Sequence, residues 1–222
     1  MKRLYRQQHL VDFMAVVMQF TRIKIKWSFF SDEAPDLKRA CWAFPLAGWL
    51  LGLIAGGLGQ ILILMDLPVI LGCAIAIAFC IYLSGAYHED GLADMADGFG
   101  AGGDGRRISN IIHDSRLGTY GVSALSLAII VRVLLVSSLV ETGLWLCLIM
   151  GSGLAVGKGF VMINRRLFVV SEFAGTATVS FLGSNIRQIV CLLLWFLPCL
   201  FIFSLEQLAL GCLLYTSDAA DE

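Results

Sequence analysis

The sequence predicts an all-α fold: a polytopic integral membrane helical bundle of about five transmembrane helices plus an N-terminal interfacial helix, forming one membrane-embedded domain over residues 1–222. Three observations predict it. Of the residues, 58% are hydrophobic and only 15% charged, against about 25% charged in soluble domains. Mean hydropathy is +0.81. Five apolar segments reach the roughly 20 residues that a bilayer-crossing helix needs. The net charge of −1 leaves no overall field to attract nucleic acid, so the distribution of charge carries the information.

Taken in order, Leu10 to Phe20 is apolar but too short to span, and it carries Asp12 and Gln19; it reads as an interfacial helix or a helix packed under the bundle. The spans are about Ala43–Met65, Val69–Tyr87, Val122–Val140, Gly143–Ile163 and Ile189–Leu210. Gly48, Gly52, Gly56 and Gly57 recur near helical spacing in the first span, a pattern for close helix packing. Arg132 and Lys158 fall inside spans, where a charge costs roughly 2.5–3.5 kcal/mol, so each is expected to find a partner within the bundle. The seven cysteines are scattered through apolar segments without a CxxC pair and read as small hydrophobes. Met1 to Arg6 is basic, but His9 and Asp12 follow without a small-residue cleavage site, so no cleaved signal peptide is expected. Residues 216–222, TSDAADE, break the apolar run and are expected to be a non-native tail.

The sixteen lysines and arginines set the orientation. Eight lie between Lys2 and Arg39, three between His88 and Gly121, and three between Asn164 and Arg187, whereas the turns at Asp66, Glu141 and Glu206 have none. With five spans after a cytoplasmic N-terminus, every basic loop falls on the cytoplasmic side and every bare turn on the other. The expected location is a bacterial or archaeal cytoplasmic (inner) membrane, with the stretch from His88 to Gly121 facing the cytoplasm.

That stretch, HEDGLADMADGFGAGGDGRRISNIIHDSRLGTYG, packs five aspartates and three arginines between apolar runs. Asp90, Asp94 and Asp97 are spaced i, i+4, i+7; if the second span's helix continues through them, the three carboxylates share one face. Like charges stacked that way need cations, and hard oxygen ligands suit Mg²⁺, with Mn²⁺ as the alternative. Asp114, beyond a glycine-rich turn, is the candidate to complete the metal set. Arg106, Arg107 and Arg116 lie close by, and metal plus guanidinium is the chemistry of holding a di- or triphosphate. The plain alternative is a solvated loop. The apolar neighbours Ala93, Met95, Ala96 and Phe99 count against it, because a partly buried face makes unpaired carboxylates costly.

HEDGLADMADG followed by HDSRLGTYG resembles the signature of the adenosylcobinamide-GDP ribazoletransferase, or cobalamin (5′-phosphate) synthase, family. Phe20-Thr21-Arg22 and the run from Arg39 to Gly48 resemble that family's N-terminal pattern, and the resemblance covers about Phe13 to Arg187. It implies a membrane enzyme that joins adenosylcobinamide-GDP with α-ribazole, or its 5′-phosphate, releasing GMP with a requirement for Mg²⁺. That reaction suggests roles for the residues. Two cations roughly 4 Å apart would be held by Asp90, Asp94, Asp97 and Asp114. The base would be Asp97 or Asp114, with His88 and His113 as alternatives. Arg116 would clamp a phosphate, and Arg106 or Arg107 the guanylyl side. Lys158 stands where the family usually has arginine and is carried over as a substrate-binding cation without the bidentate fork. Asn164, Arg165 and Arg166 either face the same site or anchor a helix end at anionic lipid. Related chains continue through a further membrane segment, so the chain is expected to be C-terminally truncated. The lipid bilayer is an expected partner and nucleic acid is not.

Two other classes fit less well. A CDP-alcohol phosphotransferase-like lipid synthase also sets aspartates on membrane helices but requires an alanine–arginine pair where Ala93 is followed by Asp94. A cation transporter, the non-enzyme reading, places its acids near mid-membrane rather than at a helix end.

Overall fold

The computed structural model describes residues 8–114 and 116–167, together with Ile189, with only the backbone described over 161–167. All regular structure among them is helical. The sequence begins with α1 (Gln8–Phe20), followed after an irregular segment by the short α2 (Leu37–Ala40), which Asp36 caps by accepting from the Arg39 N–H at 3.1 Å. A single 3₁₀ turn leads directly into α3 (Phe44–Leu64), whose Pro45 sits in the first turn where its missing N–H costs nothing. Helices α4 (Val69–Ser84), α5 (Tyr87–Ala101), α6 (Gly105–Ile112), α7 (Thr119–Glu141) and α8 (Leu146–Leu167) complete the described chain.

Four of the five expected spans are therefore helices at the expected places, α3, α4, α7 and α8. The fifth, from Ile189 to Leu210, and the tail at 216–222 lie outside the described residues apart from Ile189. Among the described residues, two stretches, Leu37–Leu64 and Thr119–Glu141, suffice by length and apolarity to cross a bilayer, and α4 joined to α5 would be a third. α8 carries a shorter apolar stretch, Leu146–Phe160. With 16 residues, α4 is about 24 Å long, short of the ~30 Å hydrocarbon thickness.

The bundle core lies where α3, α4, α7 and α8 meet, around Ala55, Cys73, Val136, Leu146 and Met150. The closest approach is between α3 and α8. A Cβ on Gly48, Gly52 or Gly56 would overlap the backbone of α8 near Leu154, Met150 and Cys147. These three glycines let the backbones touch, as their spacing predicts, while Gly57 faces open space and Gly59 serves the same purpose against Gly72 of α4. Gln60 fixes the register: its side-chain oxygen accepts from the Leu146 N–H at 2.7 Å, occupying one of the orphan donors at the start of α8.

A second core joins α1 to α2 and the start of α3 through Val16, Phe20, Ala40 and Phe44. Of the two readings offered for α1, packing against the bundle is the observed one. Its Asp12 is 3% exposed and accepts from Gln8, from Arg39 at 2.9 Å and from Trp42 at 3.3 Å, which replaces the water that burial removes.

Candidate functional site

The acidic helix does not continue the second span. α4 ends at Gly85, in the left-handed region at φ +80, and Ala86 follows at φ +60; α5 leaves the corner at 90° to α4. Glycine is favoured at 85 by its dihedral and because a Cβ there would press on the Arg22 side chain. The premise of one continuous helix is thus corrected: Asp90, Asp94 and Asp97 share a separate polar helix that lies across the end of α4. Glu89 and Asp90 fall in its first turn, where the helix dipole favours acids.

The three carboxylates are graded in exposure, Asp90 exposed, Asp94 half-buried and Asp97 buried. Burial, then repulsion from Asp90 and Asp97, pushes the Asp94 carboxyl above the usual aspartate range, with nearby His113 opposing. Asp97 is turned inward. One oxygen accepts from the Gly118 N–H at 2.7 Å and the other from the Gly121 N–H at 2.8 Å, so its carboxylate holds the first turn of α7. A Cβ on either glycine would collide with that carboxylate, which explains the two glycines of RLGTYG.

α6 folds back against α5, with Ile108 and Ile112 against Gly98. Asp104 caps it by accepting from the Arg107 N–H at 2.8 Å, and Arg106 and Arg107 remain exposed. His113 donates through Nδ1 to the Ser109 carbonyl at 2.7 Å, the tautomer that a carbonyl acceptor demands. Asp114 is engaged by Arg116 through Nε and through Nη2 at 2.6 Å. The guanidinium holds the Asp114 carboxyl below the ordinary aspartate range.

The four-carboxylate metal set is accordingly not assembled among the described residues, where no group of three acids, histidines or cysteines is placed to hold an ion. The physical reasons are the backbone amides on Asp97 and the guanidinium on Asp114. Asp90 remains exposed and Asp94 half-buried, with His113 near Asp94. Two carboxylates completed by substrate oxygens suit Mg²⁺, which keeps waters and rarely occupies an all-protein cage.

Two further predicted residues sit beneath α5. Lys158, 1% exposed, lies 2.9 Å from His88 Nε2 and 4.2 Å above the Phe20 ring, while His88 stacks on Phe20. Arg132 pairs with Glu89 at 2.7 Å in the interior. Each span charge has its partner in the bundle, and both partners are consecutive residues in the first turn of α5. A small cavity of about 30 Å³, room for a water or two, separates the pairs. Lys158 and His88 are thereby placed in the bundle rather than beside Arg116. Sequence reasoning missed Glu89 and Phe20: one reads as another acid in an acidic stretch, the other as a core aromatic. Arg165 lies on α8, with its side chain outside the described residues.

Fold and site together define a helical membrane protein that carries an outward-facing acidic helix, with arginines beside it, at one end of its bundle. The sequence model of the cobalamin-5-phosphate synthase family matches residues 12–219, and the chain belongs to that family. It is similar to the adenosylcobinamide-GDP ribazoletransferase of Azorhizobium caulinodans, 36% identical over 160 residues, 70% of this chain and 61% of that protein. The protein of that name from Xanthobacter autotrophicus is 37% identical over 134 residues, 59% and 51% of the two chains. That from Bradyrhizobium diazoefficiens is 45% identical over 100 residues, 44% and 38%. The matches thus span about two fifths to three fifths of these relatives' length. No solved structure matches the chain.

Proposed function

We propose that this protein joins adenosylcobinamide-GDP to α-ribazole, or to α-ribazole 5′-phosphate, with release of GMP. The observation that carries the reading is the family match over residues 12–219. In this reaction a free ribose hydroxyl of the ribazole attacks the cobinamide-side phosphorus, the bond from that phosphorus to the bridging oxygen breaks, and GMP leaves with the bridging oxygen. The hydroxyl proton goes to a base.

Asp90 and Asp94 would hold Mg²⁺, or Mn²⁺, together with the substrate diphosphate. When bound there, the cation supplies neutralisation of phosphate oxygens. The raised Asp94 carboxyl, caused by burial and then by repulsion from Asp90 and Asp97, supports this placement, since a bound cation offsets both. Exposed Arg106, Arg107 and Arg116 bind the diphosphate and its guanylyl end. His113, whose Nδ1–H is committed to Ser109, takes the proton through Nε2. Asp97 positions rather than reacts, since both oxygens are bonded to the backbone of α7. The site faces the cytoplasm of a bacterial or archaeal cell, as the basic residues around it indicate.

The test uses membranes containing the chain, supplied with adenosylcobinamide-GDP and α-ribazole in Mg²⁺ or in EDTA and followed for GMP. Metal-dependent GMP is expected. Its absence from this chain, with the Azorhizobium caulinodans relative active in the same assay, would remove the reading.

A further inference from the structure

The segment joining α1 to the 3₁₀ turn at Trp27–Phe29 alternates cations with aliphatic residues, Arg22-Ile23-Lys24-Ile25-Lys26, and forms neither helix nor strand. No acid occurs between Asp12 and Asp32, so nothing on the segment neutralises its charge. It is tied to the end of the bundle that carries α5. The Arg22 N–H donates to the Leu83 carbonyl at 2.8 Å, in the last turn of α4, and the Arg22 guanidinium lies 5.4 Å from the centre of the Tyr82 ring. Tyr82 is 63% exposed, and an aromatic with a guanidinium over it at the end of an apolar helix is the arrangement found at headgroup level. Ile23 and Phe29 are 52% and 59% exposed, and Lys26 lies over the Phe29 ring.

We propose that Arg22–Phe29 is a docking surface for anionic phospholipid headgroups. Arg22, Lys24 and Lys26 pair with the headgroup phosphates, and Ile23 and Phe29 enter the boundary between headgroups and acyl chains. Charge and apolarity alternate along one strap at the membrane-facing rim, which matches the composition of a lipid surface. A soluble nucleotide would satisfy the lysines but leave Ile23 and Phe29 in water. The lipid covers both.

The full chain is reconstituted into phosphatidylcholine vesicles containing a minority of phosphatidylglycerol, extracted in mild detergent, and its retained lipid quantified by mass spectrometry. The wild type should retain phosphatidylglycerol in excess of its share of the vesicle. In Lys24→Gln/Lys26→Gln the excess should fall roughly fivefold per lysine removed, whereas Lys24→Arg/Lys26→Arg should keep it. Equal excess in the wild type and the glutamine variant, or none in the wild type, overturns the proposal. So does an unchanged excess accompanied by lost binding of GDP, which would make the strap a nucleotide surface. The readout is retained lipid, so its failure is separable from failure of the catalytic reading.

Discussion

Asp94 and Asp97 lie on the same helix but their environments make opposite demands on the carboxylate. Burial and two like charges raise the Asp94 carboxyl, and a cation or a proton relieves that cost. Because its folded-state carboxyl is raised, its ionisation opposes folding as pH rises, so Asp94→Asn should leave the melting temperature unchanged or higher while turnover is lost. Asp97 has two backbone donors in place of water. Asp97→Asn can satisfy only one of them as an acceptor, and about 1–3 kcal/mol of stability should be lost. Thermal unfolding in detergent, paired with GMP release, reads both variants. A stable Asp97→Asn would show that the contact to α7 carries no weight, and an active Asp94→Asn would take that residue out of the metal set.

At the scale of elements, α5 is held from below by α7 and α8. Arg132→Met leaves the Glu89 carboxylate buried without its cation, a loss of about 3–5 kcal/mol, and Glu89→Gln in the same chain should restore most of it. Denaturant unfolding of the single and double variants gives the comparison; equal instability in both would mean that packing, not charge, holds the pair. The α3–α8 contact makes a different demand. Gly52→Ala drives a methyl into the α8 backbone and should cost about 1–3 kcal/mol, whereas Gly57→Ala meets nothing and should be neutral or stabilising by roughly 0.5–1 kcal/mol. If both glycines tolerate alanine equally in a melting experiment, the two helices are farther apart than the crossing described here.

Across the whole molecule, the proposed orientation puts the bare turn after α7 and the basic α6 on opposite sides of the bilayer. In a cysteine-free background, Glu141→Cys should react with an impermeant maleimide on intact cells, and Arg106→Cys only after the membrane is opened. The reverse pattern would turn the site outward and remove it from cytoplasmic nucleotide substrates. Local quantities are legible in the sequence, and the lysine and arginine counts in short loops, from which this orientation is proposed, are such quantities. The same holds for α3, α4, α7 and α8, whose lengths follow from runs of apolar residues, and for Gly48, Gly52 and Gly56, whose spacing already specifies one helix face.

The corner at Gly85–Ala86 was not legible. Gly85 alone marks only a place where a helix can end, and the left-handed Ala86 has no local signature; the 90° turn follows from what packs around it. Nor does the spacing of Asp90, Asp94 and Asp97 distinguish a ligand from an anchor. The amides that claim Asp97 lie 21 and 24 residues downstream, and Lys158 meets His88 across 70 residues. The sequence by itself determined a membrane-embedded helical protein, its acidic helix and its family, because hydropathy, periodicity and motif are properties of neighbouring residues. Only the tertiary structure decided which carboxylates face outward and which are consumed in holding helices, because that depends on donors and cations brought together from distant parts of the chain.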